Sequence, residues 1–243
     1  MPMPTGQVRR LDWPDCLNCR ELGGLPTIDG RQIRVGALIR SDNLFRLTPH
    51  GIRALHRRGV SRIVDLRSPF EAAIERSPFA MDPRYRLVPL IDPATMEDWT
   101  RGETLSAIYR ISVERNAPYI TAGIAEIADA PAGTVVVHCY AGKDRTGMTV
   151  ALVLAVAGVP IDVIAADYAY TEVCLRDAND ALLATCIDPA ERRDLAERQS
   201  SRPETILDTL RHVTDRYGDV PSYLRAHGLS TAQLTRLRDR LRE

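Results

Sequence analysis

The densest group of reactive side chains in the sequence is the stretch HCYAGKDRTG, which runs from His138 to Gly147. It contains Cys139 and Arg145 with five residues between them. A thiolate is a strong nucleophile, and a guanidinium matches two oxygens of a phosphate group at once. These residue types at this spacing predict nucleophilic chemistry on a bound oxyanion.

The segments on either side of this stretch indicate how it is held. TVVV, from Thr134, predicts a buried strand, and MTVALVLAVAG, from Met148, predicts a buried helix. A strand, a short loop and a helix N-terminus make an anion site, because loop amides and unpaired helix N–H groups converge on the ligand. We expect Gly142 and Gly147 to permit positive φ angles and close backbone approach. Such donors also stabilise a thiolate at Cys139.

The rest of the chain alternates predicted strands and helices. Strand patterns at SRIVDL, YRLVPLI and TVVVHC are separated by helical segments, which is typical of an α/β fold with a mostly parallel central sheet flanked by helices. Ligands of such sheets bind at the carboxyl edge. We predict a flexible tail over residues 1–12 and one domain over residues 13–243, with a helical C-terminal portion. Helix starts are predicted at Thr48-Pro49, Ser68-Pro69, Asp188-Pro189 and Arg202-Pro203.

Composition limits the partners and the compartment. The formal net charge is zero, so no broad basic field attracts nucleic acid, and anion recognition must be local. The longest apolar run, Met148 to Pro160, is too short for stable membrane insertion, and the N-terminus lacks the apolar run of a secretory signal. Five scattered cysteines do not resemble a disulfide framework, which favours a cytoplasmic location. Export by a route without a signal peptide stays an alternative.

Lys143 is the single lysine among 32 basic residues. A genome biased toward arginine codons is one explanation. The other is that position 143 requires a compact ammonium on a flexible stem, which the planar fork of arginine does not supply. The position inside the central stretch favours the second explanation.

The string HCYAGKDRTG resembles the phosphate-binding loop of the bacterial atypical tyrosine phosphatases. Four other regions are similar to that family: NCRELGG from Asn18, RSDNLFRLT from Arg40, VDLRS from Val64, and the C-terminal RPETI and YLRAHGLS segments. The resemblance therefore runs from about Trp13 to the C-terminus. The loop motif is highly specific, and the flanking motifs support it.

The resemblance implies a cysteine-dependent phosphatase that hydrolyses phosphomonoesters through a phosphocysteine formed on Cys139. It implies that Arg145 and the loop amides hold the phosphate, that Thr146 eases departure of the sulfur, and that His138 braces the loop. The substrate-binding residues are then Tyr140, Ala141, Gly142, Lys143 and Gly147. No metal or cofactor is expected.

Lys143 is similar to the lysine by which related loops accept extra phosphates. Phosphotyrosine, phosphoserine or phosphothreonine in proteins, and phosphoinositides, are therefore the expected substrates. The sequence specifies neither the physiological substrate nor the oligomeric state.

Two aspartates are candidates for the general acid that protonates the leaving oxygen. The resemblance implies Asp144, inside the loop. Asp92, after the LVPLI strand, is the alternative acid and substrate contact, because its loop could fold over the site. A salt bridge for Asp144 and a cap or turn role for Asp92 are the simpler explanations. Trp13-Pro14-Asp15 matches the acid motif of ordinary tyrosine phosphatases, but it lies too near the N-terminus, and we do not assign it.

Two other segments carry family-based or redox hypotheses. Residues 162–199 mix aromatic, small and charged types, and the resemblance implies a helical pair that covers the site as a lid; an ordinary helical hairpin is the alternative. Cys16 and Cys19 form a CxxC pair without a second pair or a nearby histidine, which predicts buried packing rather than zinc binding. A redox partnership with Cys139 stays an alternative.

Two other functions use parts of the same pattern. A rhodanese-like sulfurtransferase also places a cysteine between a strand and a helix, but its loop commonly leaves fewer residues before the closing arginine. A non-catalytic phosphate-binding module needs no nucleophile. The five-residue spacing and the cysteine together favour the phosphatase.

Overall fold

A computed structural model describes residues 9–11, 13, 16–92 and 104–243. Most of the predicted tail over residues 1–12, as well as Pro14 and Asp15, lies outside the described residues. The described residues form a six-stranded sheet in the order β1-β2-β3-β6-β4-β5. The strands are β1 (Arg9–Arg10), β2 (Arg20–Glu21), β3 (Leu38–Ser41), β4 (Val60–Asp65), β5 (Tyr85–Leu87) and β6 (Thr134–His138).

Ten helices accompany the sheet within the described part of the chain, besides a short 3-10 turn at Leu44–Arg46. They are α1 (Pro49–Arg57), α2 (Pro69–Ile74), α3 (Leu105–Arg115), α4 (Ala117–Ala128), α5 (Asp144–Val156), α6 (Ile161–Ala184), α7 (Pro189–Gln199), α8 (Pro203–Tyr217), α9 (Val220–Ala226) and α10 (Thr231–Leu241). None of the helices in these ranges combines the length and the apolarity that crossing a bilayer requires.

The central strand β6 positions the reactive loop. It pairs in parallel with β3 on one side and with β4 on the other. His138 at its end is level with Ser41 at the end of β3 and with Asp65 at the end of β4. Because the carboxyl ends of these parallel strands coincide, the residues that follow them meet at one edge of the sheet.

Two apolar cores lie on opposite faces of the sheet. Val135 and Val137 of β6 belong to the larger core, and Val136 between them belongs to the smaller one. Successive side chains of a strand point to opposite faces, so this split follows from the pleat. Helix α5 is buried in the larger core along most of its length. Cys16 and Cys19 pack in the smaller core, as their sequence context predicts.

The predicted α/β architecture with mostly parallel central strands is confirmed, with β1 and β2 added antiparallel at one edge. The helix starts are also confirmed: the Thr48 hydroxyl accepts from Gly51 N at 3.3 Å, and Ser68 forms a full capping box. One predicted strand was too long, because only Tyr85–Leu87 of YRLVPLI forms a strand and pairs with β4.

Candidate active site

The loop between β6 and α5 is held by its carbonyl groups. Asn18 Nδ2 donates to the carbonyls of Ala141 and Gly142, at 3.0 and 3.1 Å. Arg40 Nη2 donates to the Gly142 carbonyl at 2.7 Å. The carbonyl and the N–H of a peptide unit point in opposite directions, so these contacts leave the loop amides turned away from Asn18 and Arg40. Such an array of amides is an anion-binding concavity.

The two glycines of the HCYAGKDRTG stretch are required for different reasons. Gly142 has a φ of +66°, as predicted, and a Cβ there would lie 2.5 Å from the carbonyl oxygen of Ser41. The prediction of a positive φ at Gly147 was wrong, because this residue lies inside α5. Its lack of a side chain serves close packing instead: a Cβ there would lie 2.9 Å from the ring of Tyr168.

Cys139 lies at the carboxyl end of β6 and borders a cavity of about 440 Å³. Cys139 is only 2% exposed, so the sulfur is reached through this cavity and not from an open surface. The walls come from the loop, from α2, from the segment after β3, and from α6 and the end of α7. The wall residues outside the loop include Asp42, Glu71, Leu175, Leu182 and Arg198.

Arg145 is oriented by a carboxylate on α2. Its Nη1 and Nη2 donate to the two oxygens of Glu71 at 2.5 and 2.7 Å. Glu71 Oε2 also accepts from Ser68 N at 2.8 Å in the capping box, so the helix start fixes the carboxylate. Burial alone would raise the pKa of Glu71, but its hydrogen bonds with Arg145 outweigh burial and hold the pKa below its usual value. The guanidinium is thereby held in one orientation beside Cys139.

Of the two candidate acids, the structure places Asp144 in the cavity wall. Tyr109 Oη donates to Asp144 Oδ1 at 2.7 Å and also lies 2.8 Å from Tyr168 Oη. Burial, and then the Asp144 carboxylate, raise the pKa of Tyr109, which keeps this phenol protonated as a donor. Asp92 is not among the residues that line this cavity. Its carboxylate instead accepts a hydrogen bond from Tyr119 of α4.

Lys143 is buried at the junction of the loop and α7. Its ammonium donates to the carbonyls of Arg198 and Ser200, the second at 3.1 Å, and lies 3.1 Å from Asp144 Oδ1. Lys143 is only 2% exposed, although it borders the cavity. The nitrogen is therefore engaged by the end of α7 rather than pointing openly at a ligand.

His138 and Thr146 are fully buried on either side of the loop. His138 Nδ1 lies 3.1 Å from the Cys139 carbonyl oxygen, and its Nε2 lies 3.6 Å from Asp65 Oδ2. Burial lowers the pKa of His138, which favours a neutral imidazole. Thr146 Oγ1 has no hydrogen-bond partner among the described residues. No group of metal-ligating side chains occurs in the described ranges.

Sequence reasoning did not assign four residues that hold this site: Asn18, Arg40, Glu71 and Tyr109. Asn18 and Arg40 belong to the motifs NCRELGG and RSDNLFRLT. The sequence therefore includes both residues in family motifs but does not reveal which groups they contact. Glu71 accepts a hydrogen bond from Ser68 N at the start of α2, but its second partner, Arg145, is 74 positions away. No local pattern in the sequence points to Tyr109.

A thiol and a guanidinium at a parallel strand end, facing a nest of loop amides, define a cysteine-dependent phosphatase. Comparison with known proteins agrees. Residues 11–243 match the model of the tyrosine phosphatase family, and the chain belongs to that family. The expected class of enzyme, a protein tyrosine phosphatase, is therefore confirmed.

Three curated relatives match most of the chain. A Cupriavidus necator protein, named provisionally as a tyrosine-protein phosphatase, is 31% identical over 89% of this chain and 84% of its own. The triple specificity protein phosphatase PtpB of Mycobacterium tuberculosis is 28% identical over 95% of this chain and 98% of its own. A tyrosine-protein phosphatase of Nostoc commune is 28% identical over 89% and 78%.

Gly142→Ala is expected to abolish oxyanion binding, because the new Cβ would clash with the backbone at Ser41 in a left-handed conformation. The measurement is the inhibition constant of vanadate, or calorimetric binding of inorganic phosphate. Gly218→Ala is the matched control, since it has a φ of +85° and open space around the Cβ. The control should lose about 1–2 kcal/mol of unfolding free energy and keep its oxyanion affinity. Equal oxyanion affinity in both variants would contradict the requirement for glycine at position 142.

Lys143→Met is expected to loosen the end of α7, because two backbone carbonyls lose a buried donor. Hydrogen–deuterium exchange of residues 189–200 should become faster than in the wild type. Arg202→Met is the control: it removes an exposed ion pair with Glu197 near the same helix end and should leave exchange unchanged. Unaltered exchange in Lys143→Met would refute the contact.

Proposed function

We propose that the enzyme hydrolyses phosphomonoesters of proteins, with phosphotyrosine first among them, and that Cys139 is its nucleophile. The observation that carries the proposal is the arrangement at the end of β6. A buried sulfur borders the cavity, a fixed guanidinium stands beside it, and the loop carbonyls are tied back by Asn18 and Arg40. Phosphoryl transfer needs chiefly this positioning and charge stabilisation.

In the first step the Cys139 thiolate attacks phosphorus. An S–P bond forms while the bond from phosphorus to the leaving oxygen breaks, and the leaving oxygen takes a proton from the acid. Arg145 and the amides of the loop hold the equatorial oxygens, on which negative charge is spread. The products of this step are the free alcohol or phenol and a phosphocysteine.

In the second step water attacks the phosphocysteine. The water oxygen bonds to phosphorus, its proton passes to the acid residue, now acting as base, and the S–P bond breaks to return the thiolate. We assign Thr146 the role of donating its hydroxyl to the departing sulfur. Its buried Oγ1, which lacks another partner among the described residues, supports this role. His138 is assigned a bracing role through the Cys139 carbonyl.

We assign the acid to Asp144 rather than to Asp92. The support is its place in the cavity wall, whereas the Asp92 carboxylate is directed at Tyr119. Tyr109 and Lys143 both approach Oδ1, which suits the carboxylate form that acts as base in the second step.

The far wall of the cavity supports a lid formed by α6 and α7. Leu175 and Leu182 of α6 face the cavity together with Arg198 at the end of α7. An apolar wall of this kind suits a phenyl ring above the phosphate. Activity on phosphoserine, phosphothreonine and phosphoinositides, in line with the name of the mycobacterial relative, stays part of the proposal. For Lys143 to contact an extra phosphate, its ammonium must first leave the α7 carbonyls.

The function is tested by turnover of p-nitrophenyl phosphate and of a phosphotyrosine peptide in the presence of a chelator. We expect metal-independent release of phosphate, inhibition by vanadate, and no turnover by Cys139→Ser. Cys174→Ser serves as the control, since it alters a buried thiol outside the cavity wall and should keep the wild-type rate. Turnover by Cys139→Ser would overturn the proposed nucleophile.

Asp144→Asn should lower kcat/KM for the phosphotyrosine peptide by about 10²–10⁴-fold, the usual contribution of a general acid. This variant should lower kcat/KM for p-nitrophenyl phosphate much less, because p-nitrophenol leaves without needing a proton. The ratio kcat/KM reports the first step alone, so the base role of Asp144 in the second step does not affect the comparison. Asp92→Asn, the matched variant, should keep both rates. The assignment fails if Asp92→Asn shows the selective loss, or if Asp144→Asn slows both substrates equally.

A further inference from the structure

Behind the loop, on its carbonyl side, lies a buried charged cluster whose charge neither step of the proposed mechanism uses. Arg20 on β2, Arg40 on β3 and Asp167 on α6 are each at most 4% exposed. Arg20 Nε donates to Asp167 Oδ1 at 2.7 Å, and Arg40 Nη1 donates to Asp167 Oδ2 at 2.5 Å. Two guanidiniums thus share one carboxylate, and this cluster carries an excess positive charge inside the protein.

Arg40 is the member of the cluster that reaches the loop. Its Nη2 binds the Gly142 carbonyl, and it lies opposite Val137, two residues before Cys139 on the neighbouring strand. Its Nε is buried without a hydrogen-bond partner among the described residues. A buried cation whose donors are not all used is costly unless an anion lies near it.

Besides Asp167, the electrostatic environment of Arg40 includes Cys139. Burial lowers the pKa of Arg40, and Arg20 lowers it further, whereas Asp167 and Cys139 both raise it. Arginine nevertheless stays protonated in proteins, so the charge is permanent. Burial alone would raise the pKa of Asp167, but the two arginines hold it below its usual value, so its single negative charge is also permanent.

The other buried charged and titratable groups near Cys139 have partners of their own, whereas Arg46 and Arg198, which line the same cavity, are exposed to solvent. The ion pairs are Glu71 with Arg145, Asp65 with Arg67, and Lys143 with Asp144. Burial lowers the pKa of His138 and so favours its neutral form. The Asp42 carboxylate accepts hydrogen bonds from the backbone N–H groups of Leu17 and Asn18. Burial raises the pKa of Asp42, which reduces its tendency to act as a counter-charge. Among the described residues around Cys139, the Arg20–Arg40–Asp167 cluster therefore carries the buried positive charge that lacks a neutralising partner.

We propose that Arg40 is a positioning residue for catalysis. Its hydrogen bond turns the Gly142 carbonyl away from the anion site, and its buried charge stabilises the thiolate of Cys139. The inference rests on the proposed function only in taking Cys139 as the nucleophile. Its chemistry is that of an opposite charge placed near an ionisable group, which favours the ionised form.

The test compares two variants that break the same salt bridge but remove opposite charges. Arg40→Gln removes the positive charge and keeps an amide donor for Gly142; Asp167→Asn removes the negative charge with the same shape. The measurement is the rate of iodoacetamide alkylation of Cys139 against pH, with the modified peptide identified by mass spectrometry. Thermal unfolding confirms that each variant is folded.

We expect the alkylation midpoint to rise by about 1 pH unit in Arg40→Gln and to fall in Asp167→Asn. Arg40→Lys, which keeps the charge, should stay close to the wild-type midpoint. A purely structural role would loosen the loop in both bridge-breaking variants and move both midpoints upward together. That result, or an unchanged midpoint in Arg40→Gln, would overturn the proposal.

Two further arrangements keep the test decisive. If Arg40→Gln does not fold, Arg40→Lys and Asp167→Asn carry the comparison, and an upward shift of both contradicts the charge effect. Wild-type turnover of p-nitrophenyl phosphate is measured alongside. Absence of turnover would refute the proposed function while the alkylation profiles still report on Arg40, and normal turnover with unmoved profiles would refute the role of Arg40 alone.

Discussion

The site depends on one constraint, which is that the carbonyl oxygens of the reactive loop must face away from the bound anion. A loop after a buried strand can turn either face of its peptide units toward a ligand. Here Asn18 and Arg40 bind the carbonyls of Ala141 and Gly142, so the opposite face, with its N–H groups, is left for an oxyanion. Without these donors, buried carbonyls would be unpaired or would repel the phosphate.

This constraint connects the anion site with helix α6. Helix α6 contributes Asp167 near its start, where it holds the two arginines behind the loop. About two turns further along, the same helix presents Leu175 and then Leu182 to the cavity. Helix α6 therefore sets both the backbone conformation of the loop and the position of the cavity wall above it. A displacement of α6 would therefore change the loop and the cavity wall together.

The sequence predicted the strand, the loop and the helix, together with Cys139 and Arg145, because these are local features whose meaning lies in adjacent residues. It did not predict what holds them. The contacts of Asn18 and Arg40 with the loop join positions more than a hundred residues apart, and no spacing rule encodes them. Gly147 shows the same limit, since its requirement for a small side chain comes from Tyr168, on another helix.

Lys143 illustrates how tertiary geometry explains a compositional oddity. Its ammonium has three hydrogens, and three oxygens surround it: the carbonyls of Arg198 and Ser200 and the carboxylate of Asp144. An arginine could not converge its donors on this point, because its nitrogens are spread over a planar fork. A chain that otherwise uses arginine for every basic position thus has a geometric reason to keep one lysine here. The same contact makes the loop before Arg145 depend on where α7 ends.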